Sequence, residues 1–143
     1  MSKKINFQFL ISYLGLIPYV LSFLDKYYFL IVEEQYLLSF ITYYSLIIIV
    51  FIGSINWNLK NNPPTHIVIY GFLPSLFAVI IIILSLLNIN LIIIFILIIL
   101  LLLTQLFFDY IVLFANESNK QAFNYLRLPL TVLIIIFLFL ISL

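Results

Sequence analysis

Gln105 and Asp109 stand four residues apart, a spacing that puts an amide and a carboxylate on one face of a helix, and Arg127 opens the next apolar run at a similar depth. Paired, the carboxylate and the guanidinium would form a charge-assisted hydrogen bond at an apolar boundary. Two readings follow from that chemistry. The pair clamps the last two helices together, or it forms a polar pocket that grips an anionic headgroup, a quinone or a solute. Asn56 and Trp57 end one apolar run and His66 opens the next, on the side of the membrane that five spans would share with Arg127, and they complete the set of structural or ligand-binding candidates.

No catalytic residue is expected, and no enzyme activity. Glu33 and Glu34 are adjacent, so on a helix they do not face each other as an acid and base would. With one histidine and no cysteine, the chain lacks the two axial ligands of a membrane cytochrome b, the thiolates of a metal site and any disulfide. His66 is accordingly read as an interfacial residue, with no metal and no cofactor expected. No Gly-rich phosphate loop or hydrolase elbow occurs, and nothing suggests a nucleic-acid partner.

The elements that must position these residues are dictated by composition. The chain is 66% hydrophobic and 8% charged, whereas soluble domains carry about 25% charged residues. From Asn61 to Phe108 there is no Asp, Glu, Lys or Arg. One helix of that length would reach roughly 72 Å, more than twice the hydrocarbon thickness of a bilayer. It must fold back, and Asn88-Ile89-Asn90 is the polar break at which it can. The expected architecture is an all-α integral membrane protein, a single domain over 1–143 with five transmembrane helices at about 7–24, 37–57, 66–87, 91–109 and 125–143.

Local signals fit this division. Lys3 and Lys4 precede the first run as they would in a signal peptide, but no small-residue cleavage site follows, so a retained span is expected. Gly15 and Pro18 in that span, Gly53 in the second and Gly71 and Pro74 in the third are read as kink and packing positions, as is Pro129 in the fifth. Tyr27 to Val32 is too short to cross a bilayer and reads as an interfacial connector. Ser118 to Gln121 has capping-box spacing. Five spans would gather Lys3, Lys4, Lys60, Lys120 and Arg127 on one side and leave Lys26 alone on the other. By the positive-inside rule the N-terminus is expected in the cytoplasm and the C-terminus outside.

Gly15-Leu16-Ile17-Pro18-Tyr19, Gly53-Ser54-Ile55-Asn56-Trp57, Pro74-Ser75, Gln105 with Asp109, and Arg127-Leu128-Pro129-Leu130-Thr131 together resemble the domain of unknown function 3429 family. That family holds bacterial members and the animal transmembrane protein 69 of mitochondria. The resemblance covers nearly the whole chain, through anchors that are individually short. Members tend to have glycine at Ser54 and Asn58 and basic residues at Asn56 and Tyr125, so any anion site built from those basic groups would be incomplete here. The resemblance implies a five-helix inner-membrane protein with a tie to respiratory membranes, and no reaction. A non-catalytic subunit or assembly factor with other membrane proteins as partners is the expected role. A small carrier or a lipid- or quinone-binding protein, using the polar cluster in a bacterial cytoplasmic membrane, is the alternative.

Overall fold

The computed structural model describes residues 3–54, 64–113 and 123–143, all helical apart from short turns. Six α-helices are present among them: α1 Lys3–Leu14, α2 Ile17–Leu24, α3 Glu34–Ser54, α4 Thr65–Leu86, α5 Leu91–Leu113 and α6 Leu128–Ser142. Asp25–Phe29 and Phe123–Arg127 form single π-helical turns. Among the described residues four segments are long and apolar enough to cross a membrane: α3, α4, the Leu91–Ile111 part of α5, and Phe123–Ser142. Large apolar side chains such as Ile47, Phe51, Leu86 and Phe139 are exposed on them, an arrangement suited to hydrocarbon rather than water.

The first expected span is not one continuous helix. After Leu14 the chain tightens, with Gly15 N–H donating to Ser12 O and Leu16 N–H to Tyr13 O, and then restarts as α2 with Pro18 in its first turn. Pro18 cannot donate to the Leu14 carbonyl, so the break falls just before the proline instead of kinking an unbroken helix at it. The fourth span also differs from expectation. Asp109 does not close α5, which continues to Leu113 and carries Asp109 inside it.

The hairpin between α4 and α5 shows how each asparagine is used. Asn88 has φ of 56° and ends α4, with Asn88 N–H donating to Ser85 O and Ile89 N–H to Leu84 O. That pattern satisfies the last carbonyls of the helix in the manner of a Schellman motif, and asparagine tolerates the left-handed conformation. Asn90 starts α5 by accepting the N–H of Ile92 on Oδ1 at 2.9 Å.

Packing divides the chain into two compact units, 1–41 with 103–143 and 42–102. In the second, Gly53 meets α4 so closely that a Cβ there would lie 2.7 Å from Pro74 Cγ and 3.1 Å from Gly71 O. Only a hydrogen fits, and α3 and α4 approach along Gly53, Gly71 and Pro74 as small-residue helix contacts do. Tyr70, Gly71, Pro74, Ala78 and Ile81 make the buried stripe of α4. Thr42, Ser45 and Ile49, fully buried, make that of α3 within the same unit.

In the first unit α2 and α6 pack side by side. Tyr19 is fully buried and stacks with Phe137 at 6.5 Å, and Phe23 meets the same ring edge-on at 6.1 Å. Tyr13 donates its hydroxyl hydrogen to Tyr125 O near the start of this contact, and Tyr27 donates to Leu140 O near its end. The first and last helical segments of the chain therefore run parallel.

Candidate functional site

The site is assembled from the C-terminal part of α5 and the turn that leads into α6. Gln105 and Asp109 lie one turn apart on the buried face of α5 and are 2% and 3% exposed. Phe123 is buried in the π-helical turn and packs edge-on against Tyr110 at 5.8 Å. That turn ends at Arg127, whose Nε donates to Asp109 Oδ2 at 2.5 Å. Arg127 is also the cap of α6, where its carbonyl accepts the hydroxyl hydrogen of the buried Thr131.

Both charges are withdrawn from the surroundings, with side-chain exposures of 15% for Arg127 and 4% for Asp109. Arg127 Nη2 is buried and makes no hydrogen bond among the described residues. In a low-dielectric interior the pair compensates each other's desolvation, while loss of either partner strands a charge at a cost of about 3–5 kcal/mol. Chemically, then, the arrangement can lock two helices or offer a single guanidinium nitrogen to an acceptor.

Of the other sequence-derived candidates, His66 is exposed in the first turn of α4 and belongs to the second unit. Asn56 and Trp57 lie outside the described residues, as do Lys60, Lys120 and the Ser118–Gln121 capping box. Gly53 and Pro74 form the close helix contact described above, and Gly15 and Pro18 frame the break before α2. Pro129 sits in the first turn of α6, where a missing N–H is tolerated. No group of three or more His, Asp or Glu able to hold a metal occurs among the described residues.

A second charged cluster was not singled out from the sequence. Asp25 is 8% exposed. Its two carboxylate oxygens accept the N–H groups of Ile31 at 3.1 Å and Val32 at 3.0 Å. Lys26 donates to Ile141 O at 2.7 Å and meets Glu34 at 3.0 Å. A cation on the last carbonyls of α6 complements the negative end of that helix. The signal available in the sequence was an Asp-Lys pair wedged between apolar runs, which reads equally well as a simple span terminus.

The family model for DUF3429, described as a protein of unknown function, matches residues 6–143. The chain belongs to the DUF3429 family. No curated protein and no solved structure matches it. The DUF3429 match spans the anchors from Gly15 to Thr131, and its description carries no reaction.

Proposed function

We propose that this DUF3429 protein is a multi-pass, non-catalytic subunit or assembly factor of an inner-membrane complex. One observation carries the reading: among the described residues, the four buried or nearly buried charged side chains are all bound inside the fold. Asp25 holds backbone N–H groups, Lys26 a backbone carbonyl and Glu34, and Asp109 holds Arg127. These charges organise helices and leave broad apolar faces for lipid and for other membrane helices. The parallel course of the first and last helical segments supports five crossings, with α1 and α2 together making the first. It supports termini on opposite sides as well, and the distribution of lysine and arginine favours a cytoplasmic N-terminus. A bacterial cytoplasmic membrane is the corresponding location.

Extraction of native membranes in several mild detergents tests the role. A complex larger than the free chain, with the same partner each time, is expected. Recovery solely as a free monomer under all of them overturns the proposal.

Arg127 Nη2 favours one second reading, in which the guanidinium receives an anionic headgroup, a quinone carbonyl or a solute. Under it, Asp109→Asn or Arg127→Leu abolishes a transport or lipid phenotype while the protein accumulates normally. Loss of accumulation in both variants decides for the clamp.

A further inference from the structure

An open groove of about 610 Å³ runs between α2 and the start of α3, roofed by the connector that joins them. Pro18 and Leu21 form its floor on α2, Phe29, Ile31 and Val32 its roof, and Phe40 its far wall. Its size is that of a small-molecule site, roughly 300–1,000 Å³. We propose that this groove holds one acyl chain of a bilayer phospholipid more firmly than the convex helix faces hold their surrounding lipid.

Three observations specify the occupant. Asp25, the charged group in the lining, has both oxygens committed to the N–H groups of Ile31 and Val32. With its charge already met by those two donors, and with Ser22 and Tyr36 the other polar side chains among mainly apolar lining residues, the groove suits a hydrocarbon chain, which disturbs neither bond. The groove is also placed at a polar boundary: the Lys26 and Glu34 ion pair stands beside it, and Tyr28 and Tyr36 are largely exposed. Tyrosines and charges at one end with carbon below match the headgroup-to-tail sequence of a lipid. Finally, the roof is held in a costly conformation. Leu30 has φ of 51°, which disfavours a leucine by about 1–2 kcal/mol. Leu30 N–H donates to Asp25 O at 2.7 Å to close the π-helical turn. The Asp25 bonds outweigh this strain and keep Ile31 and Val32 over the cleft, where an isolated helix end would leave the connector loose.

Between protein and lipid there is no hydrophobic driving force inside a bilayer, so retention depends on the number of van der Waals contacts. A concave, preorganised surface makes more of them with one chain than a convex helix does. The inference requires only that the chain sits in a membrane, and is independent of the subunit reading.

The test uses the full chain reconstituted in phosphatidylethanolamine and phosphatidylglycerol vesicles that contain a phospholipid with a diazirine near the end of one acyl chain. After photolysis, label is expected chiefly on residues 18–40, with one phospholipid retained per chain after exchange into mild detergent. Leu21→Trp and Val32→Trp, which fill the groove from opposite walls, should each lower that labelling about ten-fold, equivalent to about 1.4 kcal/mol. Ile47→Trp, at an exposed apolar position elsewhere on α3, should leave it unchanged. Labelling of the groove no stronger than at Ile47, or undiminished in both filling variants, overturns the proposal. So does preferential labelling by a polyprenyl probe, or photocrosslinking of position 32 to a second copy of the chain.

Discussion

Arg127 and Asp109 separate structural from functional demands by a double-mutant comparison. Asp109→Leu or Arg127→Leu alone should destabilise the protein by about 3–5 kcal/mol, because each leaves one buried charge without its counterion. The double replacement should recover most of that loss. Accumulation in the membrane and resistance to thermal aggregation measure both effects. Gly53→Ala is expected to cost about 1–3 kcal/mol by overpacking, since its methyl would meet Pro74 Cγ at 2.7 Å, with Gly53→Val worse. This pairing of Asp109 with Arg127 was legible in the sequence because charges are rare in this chain and their positions on helix ends limit their partners. The contact of Gly53 with Pro74 was half legible: glycine announces close approach, but which helix approaches depends on tertiary packing.

Elements joined by asparagine turns give predictions of smaller size. Asn90→Ala should lower stability by about 1 kcal/mol through loss of the cap on Ile92 N–H. In the connector, Leu30→Gly should relieve up to about 1–2 kcal/mol of left-handed strain while leaving the Asp25 bonds in place. Asp25→Ala should do the opposite, releasing two backbone donors, and urea- or heat-induced unfolding in detergent would rank the three variants. The Asn88-Ile89-Asn90 break stood out as the polar interruption of an apolar stretch, and the hairpin is formed there. The order within the first expected span was not legible in the same way. Gly15 and Pro18 marked irregularity, but whether a proline bends a helix or begins a new one depends on whether the preceding turn can tighten. Nor did the connector announce its π-helical turn, since a six-residue apolar run carries no period long enough to register it.

At the scale of the whole molecule, composition settled the helical class because alternating patterns and turn-rich stretches are absent from so apolar a chain. The number of crossings depends on how α1 and α2 are treated. A reporter fused after Leu143 is expected to be active outside the cytoplasm, and one placed after Asn88 likewise, while a fusion in the 55–63 segment reports from the cytoplasm. A cytoplasmic signal after Leu143 would count against five crossings.

Lys26 and Tyr27 hold the carbonyls of Ile141 and Leu140, 115 and 113 residues further along the chain, so residues translated early find their partners among those translated much later. During synthesis the ammonium of Lys26 must wait, solvated or provisionally bound to Glu34, until the final turn of α6 arrives. The unit made from 1–41 and 103–143 therefore closes only once α6 has been made, whereas the 42–102 unit has all its parts beforehand. Quality-control proteases should accordingly see an intermediate with a finished middle and an open rim, and shortening α6 by a turn should prolong its exposure to them.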